Sequence, residues 1–435
     1  MTEKELKEKL HEPYLLHTWQ EIVRHIFKNP TLFTAEAALP LFENEEYVQK
    51  AFQFGVVSLH DDRQLALIDV KLSSNKVISK NRVQLRELIA KYVDGGKFQG
   101  ILALFHSADM TQQDYRLTFI AKSSSFNDEG DFVTKLTYPK RYTYILGQNE
   151  SCTTAAQRLT KYLGDNNRAA LKDVIEAFSV EKLSNDFFAE YKYNYEKKFL
   201  AHLMPLKDTA FGGNDKAVRD FCKRLLGRIV FLYFVQKKRW LGATFGQDHW
   251  DGNSNFLLSL FKEVQALDQT SAFYSHWLSK LFFETLNTKR EGDLFRMPTG
   301  KQVKVPYLNG GLFYGKKEPE ASLISFPAHF FHQNDDKKAD KPNERGLFDF
   351  MNSFNFTIYE DSPEDQTVAV DPEMLGHIFE NLLEENREKG AIYTPKDNVH
   401  FMCQQSLIHY LNVHLNPKNN PTIESQIRLK SRNGV

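Results

Sequence analysis

"FQFGVVSLHDDRQLALIDVKL", Phe52 to Leu72, decides the fold. Its first part, "FQFGVVSL" (52–59), is apolar and branched and reads as a strand. "HDDR" is a polar turn. "QLALIDVKL" (64–72) is a second strand, so the two form a hairpin. Outward from this point the period changes. In front, Leu15, Leu16, Trp19, Ile22, Val23, Ile26 and Phe27 fall on one stripe and predict a helix over 12–27. Behind, "NRVQLRELIAKYV" (81–93) is helical and "DGG" ends it. "GILALFHS" (100–107) and "YRLTFIAKS" (115–123) read as strands, and "KRYTYILG" (140–147) as a late one. Helix, two strands, helix, two strands is an α/β order, expected to fill residues 1–152.

The hairpin also carries the chemistry. Alternation puts Asp69 and Lys71 of "IDVK" on one face of the second strand. A carboxylate there can bind a hard divalent cation. A neighbouring ammonium can orient or activate water, or stabilise charge developing on phosphorus. A metal site needs a second acidic group. Asp61 or Asp62 at the turn can supply it, as can Glu21 from the preceding helix. Without such a partner, Asp-x-Lys in a strand is an ordinary solvated pair.

In this context the stretch resembles the PD-(D/E)xK nuclease superfamily. There a helix precedes a hairpin, the second strand ends in an acidic-x-Lys signature, and a helix and two strands follow. The resemblance implies a mixed sheet flanked by helices, and Mg²⁺-dependent hydrolysis of double-stranded DNA. It makes Asp69 a metal ligand, Lys71 the water activator, and Asp61, Asp62 or Glu21 the second acid. Gln84, on the 81–93 helix, is a further candidate for the site. One departure is visible. Many members carry an acid inside the first strand, and here "GVVSL" has Ser58 in the comparable place. An inactive domain is the alternative.

From about residue 153 the strand pattern fades. "LSNDFFAEYKYNYEKKFLAHLM" and "DKAVRDFCKRLLGRIVFLYFVQKKRWLG" read as long helices, with Ser184 a cap for the first and Gly242 a stop for the second. "NFLLSLFKEVQAL" and "HWLSKLFFETL" continue the pattern, so 153–365 is expected to be a helical connector. "DPEMLGHIFENLLEENREKG" (371–390) is a marked helix, with Asp371 the N-cap, Pro372 at the first position and Gly390 the C-cap. "GAIYTP" (390–395) follows, and Thr394 and Pro395 start another helix.

"MLGHIFENLLEENREKGAIYTP" is similar to the entry of the methyltransferase domain in type I and type IIG DNA adenine methyltransferases. Gly390, Tyr393, Thr394 and Pro395 match a Gly-x-Tyr-Tyr-Thr-Pro loop that lies against S-adenosylmethionine, with Ile392 where a first Tyr is common. "VPYLNGGLF" (305–313) and "RIVFLYFVQKKRWLG" also resemble the connector of large type IIG/IIS restriction–modification proteins. An intact enzyme of that kind needs a glycine-rich cofactor loop and an Asn-Pro-Pro-aromatic loop. Neither is in the sequence. "NPKN" and "NPTI" lack the second proline and the aromatic. The expectation is an N-terminal half, with 366–435 the opening helices of a methyltransferase domain. Its partners are double-stranded DNA and a C-terminal methyltransferase and target-recognition half. S-adenosylmethionine belongs only to the intact enzyme. A non-catalytic DNA- or partner-binding scaffold is the rival reading.

Composition bounds these readings. Lys plus Arg equals Asp plus Glu at 56 each, so no global positive field marks a nucleic-acid binder. Three scattered cysteines suit a reducing cytoplasm and no disulfide framework. The longest apolar run, "IVFLYFV" (229–235), is far short of the roughly 20 residues that span a bilayer and reads as a buried helix. The 35 Phe point to large aromatic cores. "HEPYLLH" lacks metalloprotease spacing, and the "HFFH" pair His329 and His332 reads as structural. "KKR" (237–239), beside Trp240, is either a phosphate contact or a solvated helix end.

Overall fold

The computed structural model describes residues 1–28, 30–39, 48–73, 98–109, 113–121, 141–164, 169–308, 311–315, 318–339, 341–358, 365–372 and 396–415, with a few isolated residues besides. Residues Met1–Leu375 form one compact unit and Gly376–Val435 a second.

The first unit starts with α1 (Glu3–His11), closed by a capping box in which Thr2 and Glu5 each accept the other's backbone N–H. Helix α2 (Leu16–Ile26) buries Trp19, Ile22, Val23 and Ile26. The helix predicted over 12–27 therefore begins four residues late. Pro13 follows an extended Glu12, and Leu15 is extended and exposed. Strands β1 (Pro30–Ala38), β2 (Val48–Ser58) and β3 (Gln64–Leu72) make an antiparallel meander. β4 (Gly100–Ser107) then lies parallel to β3. β5 (Asp114–Ala121) and β6 (Arg141–Gly147) follow, each antiparallel to its predecessor. Strand β7 (Asp365–Thr367) closes a seven-stranded mixed sheet, parallel to β6. Parallel β3 and β4 require a crossover. The helix expected there, 81–93 with Gln84, lies outside the described residues.

Period-2 alternation sorts the sheet into two faces. Leu65, Leu67, Leu102, Leu104, Tyr115, Leu117 and Phe119 point into one core with the apolar side chains of α1 and α2. Ala66, Ile68, Val70, Leu72, Ile101, Ala103 and Phe105 point to the other. The first core does not stop at residue 152. It runs on through α3 (Thr153–Leu159), a π-helical turn (Thr160–Gly164), α4 (Leu171–Phe178) and Leu183, and it takes in Val368.

Helices α5 (Val180–Tyr193), α6 (Asp215–Lys237) and α7 (Phe256–Ala266) are the main α-helices of the remainder. It also holds π-helical segments and a small three-stranded sheet of Ala243–Thr244, Leu294–Arg296 and Gln302–Lys304. Ser179, not Ser184, caps α5, accepting from the Lys182 N–H at 3.2 Å. The Ser184 hydroxyl donates back to Val180 O instead. Asn214 caps α6 through the N–H groups of Lys216 and Ala217. That helix ends at Lys237, five residues before Gly242. The left-handed Gly242 instead sits in the next loop and donates to Lys304 O. Ile229 to Val235 lies inside α6, and all but Phe231 is buried. No helix among the described residues is long and apolar enough to cross a membrane. The phenylalanines form several aromatic clusters here. The ring of Phe331 meets those of Phe199, Phe261, Phe273, Phe326 and Phe348 at 4.8–5.8 Å.

Near the end of the first unit, Asp371 Oδ1 accepts the Met374 N–H at 2.8 Å, the bond expected of an N-cap. In the second unit, α8 (Lys396–Leu415) covers the helix anticipated after Pro395. The loop 390–395 itself lies outside the described residues.

Candidate functional site

The rows Leu65, Leu67, Asp69, Lys71 on β3 and Leu102, Leu104, His106 on β4 run side by side on the helix-covered face. In the parallel register Asp69 sits beside Leu104 and Lys71 beside His106. Two hydrophobic rows thus end together in polar groups. Asp69 is only 2% exposed. A carboxylate so placed needs hydrogen-bond donors, because burying it bare costs several kcal/mol. Two are present. The Tyr14 hydroxyl donates to Asp69 Oδ2. His106 Nε2 lies 3.0 Å from Asp69 Oδ1. An ionised carboxylate only accepts, so Nε2 carries the proton.

Tyr14 comes from the extended link between α1 and α2 that Pro13 enforces. Its ring stacks on the His106 imidazole, with centroids 4.1 Å apart and 18° between planes. Tyr115 on β5 meets Tyr14 edge-on at 5.6 Å and anchors through its hydroxyl to Leu10 O at 3.1 Å. Burial, and then the Asp69 charge, push the Tyr14 phenol far above its ordinary range, so it remains a donor. Lys71 is half-buried, one step further along the same face.

The other sequence candidates sit elsewhere. Asp61 and Asp62 occupy the hairpin turn, beyond the closing pair Ser58–Gln64. Asp69 is five residues further along β3, about 17 Å at the usual rise, so the structure does not bring these groups together. Ser58 is at that distant end too. The residues of β2 that flank Asp69 and Lys71 are Phe52 and Lys50, at its beginning. Asp61 accepts the Leu171 N–H at the start of α4 at 3.1 Å, and Asp62 adopts a left-handed φ of 60°. Glu21 on α2 pairs with Lys9 at 2.6 Å, which holds its carboxyl below the usual range. Among the described residues no group of three or more His, Cys, Asp or Glu side chains converges as a metal cage.

Two residues of the "KKR" cluster turn inward, while Lys238 stays exposed over the Trp240 ring. Lys237 pairs with Glu150 at 2.6 Å and Arg239 donates to Asn149 Oδ1 at 2.9 Å, clamping α6 to the turn after β6. His332 pairs with Asp349 at 2.6 Å, a structural role.

Sequence reading found Asp69 and Lys71 but passed over Tyr14 and His106, which lie 55 and 37 residues from Asp69. A signal existed for His106. It continues the alternation Leu102, Leu104 to the strand end, as Lys71 does on β3.

Over 197 residues the chain is 25% identical to a protein of Methanocaldococcus jannaschii whose name assigns it to type II restriction enzymes and methyltransferases. The match covers 43% of this chain and 14% of that relative. No protein-family model matches the chain, and no solved structure matches it.

Proposed function

We propose that this chain is the nuclease-bearing portion of a restriction–modification enzyme. It would hydrolyse phosphodiester bonds of double-stranded DNA through a PD-(D/E)xK-like domain. One observation carries the reading. Asp69 and Lys71 share a sheet face at the ends of paired parallel strands, in a helix–hairpin–crossover–strand order. The similarity to a protein named for restriction and methylation supports it.

Asp69 offers a single buried carboxylate with both oxygens already bonded, so a cation held as Mg²⁺ commonly is, by one carboxylate with substrate phosphate and water, would have to displace Tyr14 or His106. Asp69 would hold it, and when bound it would supply Lewis-acid stabilisation of charge at phosphorus. Lys71 would place its ammonium beside the scissile phosphate, orienting water and countering the charge that builds there. Tyr14 and His106 fix the Asp69 carboxylate in one orientation. In the intact enzyme Gly390, Tyr393, Thr394 and Pro395 would form one lip of an S-adenosylmethionine site, completed by a methyltransferase and target-recognition half.

The test is plasmid cleavage with Mg²⁺, with and without that half. Cleavage by wild type, lost in Asp69→Ala and Lys71→Ala, is expected. A second reading has its own support: both oxygens of Asp69 are already engaged by protein groups. That suits a scaffold that binds DNA or a partner without cutting. Failure of wild type to cut under every condition, even with the second half supplied, would favour it.

A further inference from the structure

A cavity of about 280 Å³ opens where α1, the turn after β6, the end of α6 and residues 351–356 meet. Small-molecule sites start at about 300 Å³, so it has room for a small ligand. Phe354 and Phe356 give it an aromatic side. Beside them stand polar groups with spare hydrogen-bonding capacity. Gln236 is 2% exposed, and its Oε1 accepts the Leu257 N–H at 3.2 Å. Its amide nitrogen is left as a donor with no protein acceptor among the described residues. Glu150 Oε2 accepts from Lys237 at 2.6 Å, and Oε1 is left as an acceptor with no protein donor among them. The half-buried Asn352 amide adds both functions. Leaving a buried amide unpaired is costly, so these groups point to a polar occupant. Lys7 and His11, one turn apart on α1, border both the cavity and the groove outside it. Lys237 and Glu150 neutralise each other, whereas Lys7 has no ion-pair partner among the described residues. The groove outside sets Lys4 against Glu8 and Glu12, so it offers no cation cluster to a longer phosphate chain.

We propose that this cavity binds a nucleoside 5′-monophosphate whose base carries an amino group, such as AMP. The base lies against Phe354 and Phe356. Its amino group donates to Glu150 Oε1 and a ring nitrogen accepts from Gln236, the donor–acceptor pattern of an adenine edge. The phosphate meets Lys7 at the mouth. An oxo base sets an acceptor against the free carboxylate oxygen and is rejected, because the buried groups are then left unpaired. The site shares no residue with the Asp69 cluster and stands whether or not the chain cuts DNA.

Titration calorimetry of the full chain with AMP, IMP and adenosine tests it. Wild type should bind one AMP. IMP, which replaces the amino group with an oxo group, should bind at least about tenfold more weakly. Adenosine should also bind more weakly than AMP. Lys7→Met should erase the difference between AMP and adenosine while leaving adenosine binding as it is. Asn352→Phe fills the cavity from a half-buried position and should abolish binding, with circular dichroism confirming the fold. Equal binding of AMP and IMP would show that Glu150 and Gln236 do not read the base. Failure of wild type to bind AMP, or wild-type affinity in a folded Asn352→Phe, would overturn the site. So would an AMP preference over adenosine that survives Lys7→Met.

Discussion

Replacing Tyr14 with Phe removes one oxygen and nothing else from the cluster. The ring remains, so the stack on His106 at 4.1 Å persists. Asp69 loses the donor to Oδ2 and keeps the one to Oδ1. At 2% exposure, water reaches that oxygen poorly. A hydrogen bond to a charged group contributes about 1.5–3 kcal/mol, and an unsatisfied buried acceptor lies at the upper end. The expected destabilisation is therefore about 2–3 kcal/mol. Equilibrium urea unfolding of wild type, Tyr14→Phe, Asp69→Ala and the double variant measures it at constant m value. In the Asp69→Ala background the phenol has no acceptor to serve, and its loss should cost less than about 0.5 kcal/mol by the same reasoning. An equal effect in both backgrounds would show that the hydroxyl acts through something other than Asp69, and the account of the cluster would be wrong.

Other outcomes follow from groups elsewhere. Arg345 forms a bidentate pair with Glu190, with both side chains about 5% exposed. Arg345→Met strands a buried carboxylate and should destabilise by about 3–5 kcal/mol on thermal or urea unfolding. Gly147 has φ +117°, and an added Cβ would lie 2.4 Å from Gln113 O, so Gly147→Ala should cost about 1–3 kcal/mol and lower the melting temperature. Five buried tyrosines, Tyr115, Tyr144, Tyr191, Tyr233 and Tyr274, and the partly buried Tyr14 have phenols raised chiefly by burial. Groups raised on folding contribute stability that is complete below the unfolded phenol value near 10 and lost as pH climbs above it. Each should subtract about 1.4 kcal/mol per pH unit there, so the tyrosinate absorbance of these six should appear in one step with unfolding. Ionisation of all 18 tyrosines in a still-folded chain would contradict their burial. Asp61→Ala should destabilise by about 0.5–2 kcal/mol through the lost cap on α4, measured by urea unfolding.

The strands β3 and β4 were legible to the residue because unbroken apolar and branched runs end abruptly in polar groups. β1 was not seen. "PTLFTAEAA" opens on proline and is rich in alanine, both weak strand formers. Helix α1 escaped because its apolar content is Leu6 and Leu10 among lysines and glutamates. At the site, local alternation sufficed for Asp69 and Lys71. Tyr14 and His106 reach them only through strand register and an extended link, neither of which is a local property. The hairpin misled in another way. Asp61 and Asp62 are near Asp69 in sequence, yet a strand carries residues apart at about 3.3 Å each. The acids closest along the chain were thus at the wrong end.

The strand β7 gives the molecule a timetable. β6 cannot complete its pairing until Asp365–Thr367 has been made, and Ser151 and Asn355 meet across 204 residues of sequence. At ~5–20 residues per second, that interval is roughly 10–40 s of synthesis. During it the flank of β6 offers a free edge, the kind of surface that recruits foreign strands. The intervening helices must therefore emerge and condense before the sheet is sealed. The sheet that carries Asp69 and Lys71 thus reaches its finished form only after the helices between β6 and β7 exist.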